Sequence, residues 1–232
     1  MRSAPEEIRQ FRFVRPVGAT SILLIRHGES APARMDLPFD LVDGQGDPPL
    51  APEGREQADR VAERLAGEPI AALYVTTLRR TAETAAPLAA RLGLVPHVEA
   101  GLREVHLGEW EGGLFRLRVA EGHPIALKMR AEERWDVIPG AEPADQFADR
   151  VRDALLRIAN RHPDETVAAF THGGVIGQAL VAATGARPFA FTGADNGSIS
   201  HLVITDRLWM VRAYNDTTHL HPSFTMAAEP LS

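Results

Sequence analysis

The chain has 232 residues, of which 44% are hydrophobic and 24% charged, a composition that supports one packed globular domain and excludes global disorder. Its formal net charge of -6 argues against a nucleic-acid or acidic-membrane partner, because such partners require a basic surface. The absence of cysteine excludes disulfides, thiolate metal sites and cysteine nucleophiles. No apolar stretch reaches the length of a signal peptide or a membrane span, so we expect a cytoplasmic protein.

The N-terminal half alternates apolar runs with amphipathic stretches. Residues 1–19 are expected to form an irregular extension, followed by a buried strand around Ile22–Ile25. The segment Ser30–Pro52 is rich in proline, glycine and aspartate, which indicates a long loop that covers a site. Apolar spacing and glycine stops predict helices at Glu53–Ala66 and Leu78–Leu92, and short apolar runs predict strands at Ala71–Thr76 and Val95–Val98.

The C-terminal half continues the alternation and ends in a hairpin. Its predicted elements are a helical region at Gly112–Arg134 with a break near Gly122–Pro124, a helix from Pro143 or Ala144 to Arg161, a strand at Thr166–Phe170, a helix at Gly173–Thr184, and an antiparallel pair at Ile199–Thr205 and Trp209–Tyr214. This order predicts an α/β fold, a three-layer α/β/α sandwich whose mostly parallel mixed sheet has an antiparallel edge. We expect one catalytic domain at residues 20–222 and a tail at 223–232.

Two strand ends carry the residues that suggest chemistry. Arg26–Gly28 (RHG) follows the first strand, and His172–Gly174 (HGG) stands between the strand Thr166–Phe170 and the next helix. Because the carboxyl ends of parallel strands meet at one edge of a sheet, we expect the two histidines to converge. An imidazole can act as a nucleophile, a guanidinium binds phosphate oxygens, and free amides at a helix start bind anions. The pattern favours phosphate chemistry.

Two further segments supply cations and carboxylates. Thr76–Thr84 places Arg79 and Arg80 in the first turn of a helix, again at the carboxyl edge of the sheet. Arginine is unfavourable near the positive end of a helix, which favours a functional reason for it. Leu102–Gly112 contributes several glutamates, of which Glu104 is the first.

Two competing interpretations are weaker. A dinucleotide-binding turn would use Gly174 and Gly177 as its second and third glycines, but His172 stands where the first glycine belongs. A metal site built from His27, His172 and Glu104 lacks a clustered ligand motif, and neighbouring arginines would repel a cation.

Taken together, these segments resemble the histidine phosphatase superfamily, which also contains the cofactor-dependent phosphoglycerate mutases. The resemblance runs from about Ser21 to Leu220. It rests on RHGES at Arg26–Ser30, LAPEGREQA at Leu50–Ala58, TTLRRTAETA at Thr76–Ala85, LREVHLGEWEG at Leu102–Gly112 and THGG at Thr171–Gly174. It implies a phosphoglycerate mutase-like fold.

The resemblance also implies roles for individual residues. By this likeness His27 is the residue that becomes phosphorylated, and Glu104 is the proton donor. The phosphoryl oxygens would be held by Arg26, Arg80 and His172, and no metal or other cofactor is implied. Further phosphate- or substrate-binding residues are expected at Ser30, Gly173, His106 and Trp110, with Glu142 as an additional lining residue.

Two positions depart from the family pattern. Many members carry an asparagine that helps to hold phosphate where this chain has Ala33. That contact is then absent or comes from another residue of the Ser30–Pro52 loop. Thr76 stands where serine is usual and keeps the hydroxyl.

The expected activity is hydrolysis of a small phosphorylated metabolite. The glycolytic mutases carry an arginine and a lysine where this chain has Val105 and Phe115, and Trp135–Glu142 is more similar to the phosphatase branch. Arg116 and Arg118 are candidate replacement cations, which keeps a phosphoglycerate mutase as the first alternative. A non-catalytic module that binds a phosphorylated ligand is the second. Homodimer formation is left open.

Overall fold

A computed structural model describes residues 10–221, so the predicted tail at 223–232 and the first nine residues of the predicted extension lie outside the described residues. The strands are β1 (Thr20–Arg26), β2 (Leu41–Val42), β3 (Gln45–Gly46), β4 (Ile70–Val75), β5 (His97–Val98), β6 (Thr166–Thr171), β7 (Ile199–Ile204) and β8 (Trp209–Asp216). The helices are α1 (Pro52–Leu65), α2 (Arg79–Leu92), α3 (Leu114–Ala120), α4 (Pro124–Glu132), α5 (Ala144–Arg161) and α6 (Gly173–Thr184). Among the described residues, no helix combines the length and hydropathy needed to cross a membrane.

Six strands form the central sheet in the order β5-β4-β6-β1-β7-β8. The pairings β5–β4, β4–β6 and β6–β1 are parallel, whereas β1–β7 and β7–β8 are antiparallel. The mostly parallel sheet with an antiparallel edge is therefore confirmed.

Helices cover both faces of the sheet, because neighbouring residues of a buried strand point to opposite sides. On one face, Ile22 and Leu24 pack with α5 and α6. On the other face, Ile25 packs with α1 and α2 through residues such as Val61 and Leu88. The three-layer α/β/α arrangement follows from this alternation.

The register between β1 and β6 brings the two motifs together. Arg26, the last residue of β1, pairs with Thr171, the last residue of β6. The residues that follow, His27 and His172, therefore leave the sheet side by side at its carboxyl edge. His172 is also the residue that precedes α6.

Most predicted elements are present with bounds within about two residues, and larger differences occur in three regions. The region predicted as helical over Gly112–Arg134 begins as a helix only at Leu114, because Gly112 and Gly113 adopt positive φ angles of 68° and 98°. The predicted break near Gly122–Pro124 is present between α3 and α4. The strand predicted at Val95–Val98 is limited to β5, and the Ser30–Pro52 loop contains the small hairpin β2–β3.

Candidate active site

His27 and His172 lie next to each other at the edge of the sheet. Their ring centroids are 5.2 Å apart and their planes make an angle of 63°. His27 is 4% exposed and His172 is fully buried. The convergence expected from the strand ends is therefore present in the structure.

The hydrogen bonds of His27 determine which ring nitrogen carries the proton. Nδ1 lies 2.7 Å from the carbonyl oxygen of Gly28, which only accepts, so Nδ1 must be the donor. Nε2 accepts a hydrogen bond from Arg80 Nε at 3.1 Å. Burial, followed by the charges of Arg80 and Arg26, holds the pKa of His27 well below its ordinary value. His27 is thus a neutral imidazole whose Nε2 lone pair faces the Arg80 guanidinium, with the charge of Arg26 also acting on the ring.

Arg26 and Arg80 provide the positive charge around this ring. Burial lowers the pKa of Arg80 to about 10, so this side chain stays charged at neutral pH, and burial also lowers the pKa of Arg26. Arg80 Nη1 donates to the carbonyl oxygen of Gly46 at 2.9 Å, and Arg26 Nη1 donates to that of Ala194. Arg26 Nε is buried without a hydrogen-bond partner within residues 10–221.

His172 is held by Thr76, the residue after β4, together with Thr81 of α2. Its Nε2 lies 3.1 Å from Thr76 Oγ1, which in turn lies 3.1 Å from Thr81 Oγ1. Burial is the largest cause that keeps the pKa of His172 well below its ordinary value, and Arg80 adds to it. Nδ1 of this neutral ring is buried and has no hydrogen-bond partner in the part of the chain that the structure describes.

The Glu104 carboxylate lies against the first residues of α6. Its Oε1 accepts from the amide of Val105 at 3.0 Å and its Oε2 from the amide of Gly174 at 3.2 Å. The segment that carries Glu104 is fixed by Arg150 of α5. The Arg150 guanidinium donates to the carbonyl oxygens of Gly101, Arg103 and Glu104 at 2.7–2.9 Å and to both carboxylate oxygens of Glu142 at 2.6 and 2.8 Å.

A cavity of about 150 Å³ opens beside this group, and His27 and His172 are not among the residues that line it. Its polar lining comprises Arg26, Gln45, Arg80, Glu104, Glu111 and Arg116, together with backbone of Gly173 and Gly174. The remaining wall is largely apolar, formed by Phe39, Pro48, Val105, Leu107, Trp110, Phe115 and Trp135. One end is therefore cationic and the other aromatic.

The structure distinguishes among the remaining predicted site residues. Gly173 and Trp110 line the cavity. Ser30 is buried beside it, and its hydroxyl accepts from Arg116 Nη2 at 2.6 Å. His106 is not part of the lining, because its ring turns towards the hairpin, where Nε2 would lie 3.3 Å from a Cβ placed on Gly44.

Glu142 is not among the residues that line the cavity and binds Arg150 instead.

Three residues that the sequence does not mark support the site. Gln45 Nε2 donates to the Glu104 carbonyl oxygen at 2.7 Å, Asn196 Nδ2 donates to the His27 carbonyl oxygen at 2.8 Å, and Arg150 holds the Glu104 segment. Gln45 lies in the two-residue strand β3, Asn196 lies in the loop before β7, and Arg150 lies within the long helix α5. None of them stands in a pattern that marks it in the sequence.

Comparison with known proteins agrees with this geometry. The profile of the histidine phosphatase superfamily (branch 1) matches residues 22–217. Phosphoglycerate mutase-like protein 4 of Arabidopsis thaliana is 34% identical over 209 residues, which cover 88% of this chain and 88% of that protein. The metal-independent phosphoserine phosphatase of Arabidopsis thaliana is also 34% identical over 209 residues, with 87% and 83% coverage.

Among solved structures, mycobacterial glucosyl-3-phosphoglycerate phosphatase superposes with a TM-score of 0.71 at 26% identity, covering 86% of this chain and 100% of that one. The family match extends over nearly all of the central sheet. The two Arabidopsis proteins named above are each more than 30% identical to this chain over most of their length. The chain therefore belongs to the histidine phosphatase superfamily.

Proposed function

We propose that this chain is a metal-independent phosphomonoester hydrolase that acts on a small phosphorylated metabolite through a phosphohistidine at His27. The observation that carries the proposal is the state of the His27 ring. Nδ1 donates to Gly28 and Nε2 presents a lone pair beside Arg26 and Arg80. The relatives named as phosphatases support the same reaction class.

The cationic end of the cavity binds the phosphoryl group. Arg26 and Arg80 donate to its oxygens, and the amide of Gly173 at the start of α6 adds a neutral donor. When the Thr76 hydroxyl donates a hydrogen bond to His172 Nε2, the ring proton is on Nδ1. Nδ1 then donates a hydrogen bond to a phosphoryl oxygen. These fixed donors stabilise charge on the equatorial oxygens during transfer.

In the first step, His27 Nε2 attacks phosphorus in line with the leaving oxygen. Arg80 Nε must first transfer its hydrogen bond from Nε2 to a phosphoryl oxygen, since the attack uses the same lone pair. The N–P bond forms, the P–O bond to the leaving group breaks, and the leaving oxygen takes the proton of the Glu104 carboxyl group.

In the second step, water replaces the leaving group. The Glu104 carboxylate accepts a proton from water as the water oxygen attacks phosphorus. The N–P bond breaks, its electron pair returns to His27 Nε2, and inorganic phosphate is released. Glu104 gives one proton in the first step and takes one in the second, so the protein returns to its initial state.

The aromatic end of the cavity receives the leaving group and favours hydrolysis over isomerisation. Val105 and Phe115 line this wall, so it lacks the two cations that the resemblance implies for the glycolytic mutases. Arg118, one candidate replacement, pairs with Glu121 at 3.1 Å and is not part of the lining. A mutase needs extra cations to retain a second acidic group.

Phosphoglycerate mutase is the second candidate function. Arg116, the other candidate replacement cation, lines the cavity, and one relative is named phosphoglycerate mutase-like protein 4. The two activities separate in one assay with 3-phosphoglycerate. Release of phosphate exceeding formation of 2-phosphoglycerate supports the hydrolase, and the reverse supports the mutase.

The central experiment measures hydrolysis of p-nitrophenyl phosphate in the presence of a chelator. The wild-type protein is expected to retain full activity, and His27→Asn is expected to abolish it. His97→Asn is the matched control, because His97 lies exposed on β5 away from the cavity. A rapid quench should trap a phosphoenzyme that is stable to alkali and labile to acid, as expected for phosphohistidine.

Two outcomes contradict the proposal. Activity that survives His27→Asn removes the phosphohistidine step, and a folded wild-type protein that binds phosphate without turnover indicates a binding module. The domain limits, the cytoplasmic location and homodimer formation belong to the same proposal. Size-exclusion chromatography of the full chain tests the last of these.

A further inference from the structure

Arg116 is a third guanidinium in the cavity, and it comes from an element that lies outside the motif segments, the short helix α3. It lines the cavity together with Arg26 and Arg80. Its Nη2 donates to Ser30 Oγ at 2.6 Å and its Nη1 donates to the Ala31 carbonyl oxygen at 2.9 Å. Both partners lie in the segment that follows the RHG sequence, so this segment fixes the position of the guanidinium.

The close approach of α3 to the loop explains how Arg116 reaches the cavity. A Cβ on Gly113 would lie 3.1 Å from the Ala33 Cβ and 2.9 Å from the ring of Phe39. The start of α3 therefore packs directly on these two side chains. Arg116, about one turn further along the helix, then extends over the Phe39 ring, with its Cζ 5.6 Å from the ring centroid.

The charge of Arg116 acts on the same group of side chains that surrounds the nucleophile. Burial, with the charge of Arg26 second, lowers the pKa of Arg116. Arg116 in turn contributes, after burial, to the lowered pKa values of His27 and Arg80. These three cations are partly or fully buried and repel each other. An anion bound between them is therefore strongly stabilised.

We propose that Arg116 binds the phosphoryl group itself, as a third guanidinium beside Arg26 and Arg80. This inference rests on the proposed function and goes beyond it by assigning a phosphoryl-binding residue from α3. The hydrogen bonds to Ser30 and Ala31 hold Arg116 against the segment that follows the RHG sequence, at the cationic end of the cavity. Its contact is therefore with the group common to all substrates and not with the leaving group.

The test compares Arg116→Met and Arg116→Lys with the control Arg118→Gln. Arg118 lies on the same helix and pairs with Glu121 at the surface, so its substitution removes a charge from α3 without changing the cavity. Arg116→Met should weaken binding of inorganic phosphate by about 10- to 100-fold, measured by calorimetry at constant ionic strength. Arg116→Lys, which keeps the charge but not the fork, should show a smaller loss.

Catalysis provides the second readout. The kcat/KM of Arg116→Met should fall by a similar factor for substrates with and without a carboxylate, for example phosphoserine and phosphoethanolamine. A loss confined to phosphoserine would overturn the inference, because Arg116 would then bind the leaving group and not the phosphoryl group. Unchanged phosphate binding in a folded Arg116→Met protein would also overturn it.

The two proposals fail in different ways. If the wild-type protein binds phosphate but hydrolyses nothing, the proposed function fails while the calorimetric comparison still tests Arg116. If Arg116→Met does not fold, Ser30→Ala tests whether Arg116 binds phosphate. This substitution removes the hydroxyl that holds Arg116 and leaves the guanidinium in place. Phosphate affinity should then decrease by a smaller factor, and unchanged affinity would contradict the inference.

Discussion

Gly174 and Glu104 are so close that a Cβ atom on Gly174 would lie 2.5 Å from Glu104 Oε1. The Gly174 amide donates to the other carboxylate oxygen. The second glycine of the HGG sequence therefore serves two purposes, since it donates to the carboxylate and leaves the space that the carboxylate occupies. The position of the Glu104 carboxylate at the start of α6 depends on the absence of a side chain at residue 174.

Gly174→Ala should move the Glu104 carboxylate and impair proton transfer. We expect kcat to fall by about 10- to 100-fold, part of the contribution usual for a general acid–base. The measurement is steady-state hydrolysis of p-nitrophenyl phosphate. Gly67→Ala is the control, because a Cβ there meets no atom within 4 Å. Equal kcat values for Gly174→Ala and the wild type would show that this contact does not position the acid.

Arg150 is expected to act on catalysis through Glu104 without touching the substrate. Arg150→Gln removes donors to three carbonyl oxygens of the 101–104 segment and to Glu142. A displacement of about 1 Å at a catalytic group is sufficient to reduce kcat by about 10- to 100-fold. Binding of phosphate should change little, because the phosphoryl-binding cations are unaffected.

The decisive comparison for Arg150 is a double-mutant cycle with Glu104→Gln. If Arg150 acts by positioning Glu104, adding Arg150→Gln to Glu104→Gln causes no further loss of kcat. Arg152→Gln serves as the control, since Arg152 lies exposed on the same helix. Additive losses would assign Arg150 a merely structural role.

The pair Arg150 and Arg152 also shows where sequence reasoning ends. Both arginines lie in α5, two residues apart, and no sequence pattern distinguishes one from the other. Only the packing of α5 against the 101–104 segment turns one of them towards carbonyl oxygens and leaves the other in solvent. A long-range contact of this kind has no local pattern that marks it.

By contrast, the convergence of His27 and His172 follows from local rules. Each histidine comes directly after a buried parallel strand, and the end of such a strand fixes its place at the carboxyl edge. His106 lacked this constraint. It belongs to an irregular segment, so its orientation is set by the hairpin that packs on it.

Gly28 should be required for folding as well as for the site. A Cβ on Gly28 would lie 2.3 Å from the carbonyl oxygen of Gly54, a backbone atom at the start of α1 that no side-chain rotation can move. We expect Gly28→Ala to reduce the free energy of unfolding by about 3 kcal/mol or more. Urea unfolding measures the change, with Gly67→Ala as the control. A loss below about 0.5 kcal/mol would mean that α1 moves away without cost.

The two active-site histidines should make the protein less stable in mild acid. Burial holds the pKa of His27 and of His172 well below their ordinary value of 6.5. The unfolded chain therefore binds more protons below about pH 6.5, so stability is fully present above that pH and decreases as the pH falls. Each histidine contributes a slope of up to about 1.4 kcal/mol per pH unit in the free energy of unfolding.

Replacing both histidines by asparagine should remove this part of the slope, as measured by urea unfolding in phosphate-free buffer between about pH 7.5 and about pH 5.5. His201 and His219, whose pKa values burial also lowers, remain in both proteins, so they do not affect the difference. An equal slope in the two proteins would show that His27 and His172 do not become neutral on folding.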